Sequence, residues 1–214
     1  MKHCKLLCTL ALVAVCAFAT THLISQEVGK PEKAGDTSGK GKMSPEEAAM
    51  MAKWQTASTP GPQHAELQKI VGTWAYTIKY KMDPAAPWTE STGKSDITSI
   101  MGGRFIHDST LGQTEMGPFT GLGITGYDNV SKKYVSTWLD NMSTGIMSCE
   151  GTADASGKVI TYMGTCNCPM EGVGKKCKFI ITHTDANHLT HDSFSYSKTG
   201  EEWKSMEIKY TRIK

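Results

Sequence analysis

The chain has 214 residues, 23 Lys+Arg against 21 Asp+Glu, seven cysteines and an apolar fraction of 39%. That is enough for one folded core with appendages. A net charge of +2 argues against nucleic-acid binding, which needs a clustered basic face to displace counterions. No apolar run reaches the ~18–20 residues of a helical bilayer span, so no integral membrane span is expected.

In chain order, Met1 to Lys5 is a short positive head, and Leu6 to Ala19 is a continuous apolar stretch of 14 residues. It ends in Ala17-Phe18-Ala19, the small-x-small pattern that a signal peptidase needs. The reading is a signal peptide over 1–19, cleaved near Ala19, and an exported, periplasmic or extracellular protein. A lipid anchor on Cys16 is disfavoured by the bulk of Val15 before it. Cleavage would remove Cys4, Cys8, Cys16, Lys2 and Lys5, leaving four cysteines and 21 positive against 21 negative side chains.

Residues 20–43 read as a flexible linker, since Gln26 to Lys42 holds hardly an apolar side chain to offset its ordering entropy. Residues 44–61 read as a short helix and connector. Ser44-Pro45-Glu46-Glu47 has the capping-box spacing, Ala48 to Thr56 continue the helix, and Pro60-Gly61-Pro62 breaks it. His64 to Val71 give further helical turns, ended by Gly72.

From Gly72 the apolar period changes from 3.6 to 2. Trp74, Tyr76, Ile78 and Tyr80 alternate with small or charged residues, as in a strand with one face buried. The same pattern predicts strands near 88–100, 104–111, 119–127, 133–140, 145–153, 158–166, 175–184, 188–197 and 201–213, separated by Gly-, Asn- and Asp-rich turns. Ten short strands without intervening helices favour an all-β, antiparallel up-and-down barrel over residues 62–214, with a two-sheet sandwich as alternative.

Two positions point to how it closes. Gly72-Thr73-Trp74 follows the second helical stretch, and Arg212 ends the last strand. The arrangement resembles lipocalin-like (calycin) barrels, in which the arginine packs over the indole at the closed end. The span from His64 to the C-terminus further resembles the secreted bacterial family called domain of unknown function 1579. The segments that carry this are His64-Ala-Glu-Leu67, Gly72-Thr-Trp74, Met101-Gly-Gly-Arg-Phe105, Gly123-Ile-Thr-Gly-Tyr-Asp128, Tyr134-Val-Ser-Thr-Trp-Leu-Asp140, Cys149-Glu-Gly151 and Met206-Glu-Ile-Lys-Tyr-Thr-Arg212. The resemblance implies a calycin-like barrel and no settled activity. Cys166-Asn167-Cys168 and Cys177 are not general features of that family.

Several motifs invite chemical readings. Gly121-Leu-Gly123-Ile-Thr-Gly126 has the dinucleotide-fingerprint spacing, but it lies in a strand with no helix behind it, so close backbone approach is the better reading. Cys149, Cys166, Cys168 and Cys177 lack the Cys-x₂-Cys turn of structural zinc sites. In an oxidising compartment a Cys166–Cys177 or Cys168–Cys177 disulfide is expected, and no metal site. His188 and His191, three apart, fall on opposite faces of a strand. Asp128, Asp140 and Glu150 read as solvated carboxylates near turns. The methionines, Met147 and Met163 among them, read as core filler.

His107 shares the strand parity of Phe105, which would place it inside the barrel. The expected function is a monomeric binding module holding a small apolar molecule in a cavity lined by Trp74, Tyr76, Ile78, Tyr80, Phe105, His107 and Trp138. No catalytic residue and no cofactor are expected. The alternatives are an enzyme or a haem-type protein using His107, or an envelope protein whose barrel is filled.

Overall fold

A computed structural model of the chain describes residues 43–168, 172–197 and 199–214. The expected signal peptide (1–19) and all of the expected linker except Met43 lie outside the described residues. Two helices, α1 (Pro45–Ser58) and α2 (Pro62–Gln68), precede ten strands. These are β1 (Gly72–Tyr80), β2 (Thr89–Ile100), β3 (Phe105–Thr114), β4 (Gly117–Asp128), β5 (Lys133–Asp140), β6 (Met147–Ala153), β7 (Val159–Cys168), β8 (Gly172–His183), β9 (His188–Tyr196) and β10 (Glu202–Arg212). Each strand pairs antiparallel with its neighbours in sequence, and β1 pairs with β10. The result is a closed barrel without free edges, which removes the aggregation hazard of an open sheet. Among the described residues, no helix is long and apolar enough to cross a membrane.

The capping box of α1 is formed. The Glu47 amide donates to Ser44 Oγ at 3.2 Å, and the Ser44 amide donates to the Glu47 carboxylate at 2.8 Å. Yet α1 buries none of its residues; local propensity and caps hold it rather than an apolar face. Its C-terminus is held by Asn129, whose Nδ2 donates to the carbonyls of Ala57 and Thr59 at 3.1 and 2.8 Å. In contrast, α2 buries His64 and Leu67 and plugs one end of the barrel.

At that end the first and last strands lock together. Trp74 is buried and pairs across the ladder with Arg212. The guanidinium lies 4.2 Å from the centre of the indole and donates to the carbonyls of Val71 and Lys69, each at 2.6 Å, and of Ala186 at 2.9 Å. The indole N–H donates to Ile70 at 2.9 Å. Gly72, at φ 145°, is required here, because a Cβ would collide with the Arg212 guanidinium and the Lys214 carbonyl.

The strands differ from the sequence expectation mainly in length. β3 runs on to Thr114 and β4 starts at Gly117, where a loop was expected from Gly112 onward. Gly112 reads as a turn residue, but it pairs with Phe119 and Gly93 and leaves room for a ring on β1. The expected disulfides are not formed. None of the four described cysteines is in a disulfide, and the β7–β8 register sets Cys166 opposite Lys175, Cys168 opposite Gly172 and Cys177 opposite Gly164.

Candidate functional site

The inward faces of the strands enclose a cavity of about 540 Å³. It runs from Leu67 and Ile70 at the helix-plugged end to Gln113, Thr114, Asp140 and Met142 at the opposite strand ends. Its walls are mainly apolar and aromatic, with Ile97, Ile106, Phe119, Ile160, Phe179 and Leu189 among them.

The aromatic rings are seated on glycines of neighbouring strands. The Tyr76 ring lies over Gly93 and Gly112, and its hydroxyl donates to the Leu111 carbonyl at 3.2 Å. Trp138 lies over Gly121 and Gly123, with its N–H donating to Asp140 at 2.8 Å. Tyr162 covers Gly151 and stacks on Phe179 with ring centres 4.5 Å apart. Gly121 and Gly123 of the fingerprint-like stretch therefore serve to seat an indole, and Gly126 makes room for Phe105 on the outer face.

Polar groups make up the smaller part of the wall's surface. Asp108 accepts hydrogen bonds from the Ser95 hydroxyl and, at 3.0 Å, from Thr110 Oγ1, both on Oδ1. Burial pushes its carboxyl above the usual carboxylate range, against the pull of these two donors. Tyr210 and Tyr76 stand near it with ring centres 5.7 Å apart. Burial, reinforced by the Asp108 charge, raises both phenols. Across the cavity His191 stacks on Phe179 at 4.9 Å and bonds Ser193 Oγ at 2.9 Å. Desolvation pushes His191 down to about 4 and lowers His183 as well, so both imidazoles are neutral at pH 7.

Cys177 also lines the cavity, with its sulfur 3.5 Å from that of Cys149. Gly164 stands between them in one row of the sheet. Two strand spacings put their main chains roughly 9–10 Å apart, beyond the ~7 Å reach of a disulfide. The Cys177 thiol instead supports the Cys149 thiolate, so Cys149 ionises below the usual thiol range and Cys177 above it. Among the described residues, no group of three or more His, Cys, Asp or Glu is arranged to hold a metal ion.

Of the expected lining residues, Tyr76, Ile78, Tyr80 and Trp138 border the cavity. Trp74 shares their parity but lies beneath them, packed in the closed end. Phe105 and His107, expected in the lining, are not part of it. On β3 the inward residues are Ile106, Asp108 and Thr110, so Phe105 and His107 lie on the opposite face and no haem or base at His107 reaches the cavity. The stretch Phe105-Ile106-His107-Asp108 has an apolar residue at each parity, and only the pairing with β2 and β4 decides between them. Asp108 escaped the sequence reading because the parity rule takes a strand carboxylate as solvent-facing. Tyr210 did carry an alternation signal, with Met206 and Ile208, whereas Tyr162 and Phe179 have apolar neighbours at both parities.

The fold is similar to that of Rv2717c from M. tuberculosis, with a TM-score of 0.51 at 14% identity over 73% of this chain and 100% of that one. It is similar also to the S-type phycobiliprotein lyase CPES from Guillardia theta, with a TM-score of 0.51 at 13% identity over 70% of this chain and 92% of that one. Identities this low show the fold alone. No curated protein matches the sequence. The family described as "Protein of unknown function (DUF1579)" matches residues 59–212, a stretch that takes in α2, the glycine–aromatic pairs and the Trp74–Arg212 closure, and the chain belongs to that family.

Proposed function

We propose that the barrel is a monomeric binding module that holds a small, largely apolar molecule in its cavity. One observation carries the reading: an enclosed space of about 540 Å³, within the usual range of small-molecule sites, where small barrels commonly pack their own side chains. The rings of Tyr76, Trp138 and Tyr162 are held back against glycines and leave the centre open. One barrel of similar fold is by its name a phycobiliprotein lyase; that likeness supports the architecture of the reading and no particular ligand.

Titration with Nile red, a neutral apolar fluorophore, tests it. The expected result is saturable fluorescence enhancement, weakened by about tenfold or more in Ser136→Phe, which places a ring in the cavity wall where Ser136 stands. Unchanged affinity in a folded Ser136→Phe protein, or no binding to the wild type, overturns the reading. We propose also that residues 1–19 direct export, since the charged head, apolar run and Ala-x-Ala ending fit that role. N-terminal sequencing of protein recovered outside the producing cytoplasm should begin at Thr20.

A further inference from the structure

We infer that the cavity takes an apolar molecule carrying an amino group, and that Asp108 with its tyrosine neighbours receives that group. The inference rests on the binding reading above and names the ligand class.

Asp108 sits in the half of the cavity nearer the plugged end, opposite Ile97, which in turn pairs with Gly72. Both of its donors, Ser95 and Thr110, are buried and act on a single oxygen, Oδ1. Among the described residues, no hydrogen bond to Oδ2 is present, while the residue borders the cavity. A carboxylate is thus fixed in direction by its own strands, with one oxygen left for whatever fills the space. A buried carboxylate without a cationic partner is costly, and a ligand that supplies the partner recovers that cost on binding.

The surroundings favour a cation over other partners. Tyr76 and Tyr210 line the cavity together with Asp108, their rings tilted at 54° to each other, and phenol faces attract an ammonium as the carboxylate does. Both histidines of the wall are neutral at pH 7, for burial lowers them. Among the described residues, the only lysine or arginine that lines the cavity is Lys178. Its Nζ is taken up by Glu202 at 2.7 Å and lies over the Phe194 ring at 4.7 Å. An anionic head such as a fatty carboxylate would find no free cation there and would face Asp108. A neutral alcohol could bond Oδ2 but would leave its charge unpaired.

The test is competition against bound Nile red at pH 7 with decylamine, decanol and decanoate, which share one chain and differ in the head. Decylamine should displace the dye at a concentration about tenfold lower than either competitor, the usual worth of a hydrogen bond to a charged group. In Asp108→Asn that advantage, read as the ratio of amine to alcohol displacement within the same protein, should fall to about threefold or less, because the charge is gone and the shape is not. Equal or better displacement by decanol or decanoate on a protein that binds Nile red overturns this inference and leaves the binding reading standing. An amine preference that survives in Asp108→Asn overturns the assignment to Asp108. Failure of the wild type to bind Nile red overturns both. The ranking is read on the wild-type protein, so it decides the ligand class even where Asp108→Asn does not fold.

Discussion

Trp138 can lie flat against β4 because the residues beneath it, Gly121 and Gly123, have no side chains. A Cβ at Gly121 would run into the indole, which is itself tied to Asp140. Gly121→Val should therefore destabilise the barrel by about 1–3 kcal/mol, the usual range for an overpacked site, read as a shift in the urea midpoint. The cost should shrink when Trp138 is replaced by Leu in the same chain, since the two positions share one space. Acid sensitivity also belongs to single residues. His191 ionises at about 4 when folded and near 6.5 when unfolded, so the unfolded chain takes up the proton first as pH falls. Stability is lost through that window, by about 3 kcal/mol at most. His183, also lowered by burial, adds to the loss; Asp108, raised by burial, works against it. Urea midpoints measured from pH 7 to 4.5 should fall less in His191→Phe than in the wild type.

At the scale of elements, the barrel is closed by one pair and carries one loosely held helix. Arg212 joins β10 to the residues before β1 through the Val71 and Lys69 carbonyls and the Trp74 ring, and to the β8–β9 turn through the Ala186 carbonyl. Arg212→Met keeps much of the packing and loses all the hydrogen bonds. It should cost about 2–4 kcal/mol, as three charged-donor bonds, one part-buried and two exposed, are lost, and amide exchange should quicken first in β1 and β10. The first helix is the opposite case. It buries no side chain and is held mainly by Asn129 at its C-terminus. Asn129→Ala should let a protease cut within 44–60 while the barrel's thermal midpoint moves by only a few degrees, the worth of roughly 1 kcal/mol. The helix itself was legible in the sequence because a capping box is a local signal. Its lack of an apolar anchor was not, since Met50, Met51 and Trp54 look like a buried face and are all exposed.

For the molecule as a whole, the strand count, the antiparallel order and the Gly72–Trp74–Arg212 closure were legible because period 2 and a terminal constellation survive without tertiary information. The inner wall was only half legible. Parity anchored on Trp74 extends correctly to Tyr76, Ile78 and Tyr80, where alternation is clean. It fails at Phe105 and His107, where apolar residues occupy both faces, and a one-residue slip reverses every side chain. The thiols failed for a related reason. Cys149 and Cys177 are brought together across an intervening strand by Gly164, a relation that no hairpin rule contains. The inward placement of the Asp108 carboxylate follows from the register of three strands at once.

Opposite the helix-plugged end, the cavity is rimmed by residues such as Gln113, Thr114 and Met142. On the proposed binding reading, a guest that enters over this rim leaves over it as well, with its inner end first to enter and last to depart. Exchange is then a matter of how readily the rim yields, separate from how well the interior fits. Trimming the rim with Met142→Ala should speed association and dissociation by similar factors in stopped-flow fluorescence with Nile red, leaving the equilibrium constant within about twofold. The depth of the cup would set affinity, and at a given affinity the lip would set how fast a guest comes and goes.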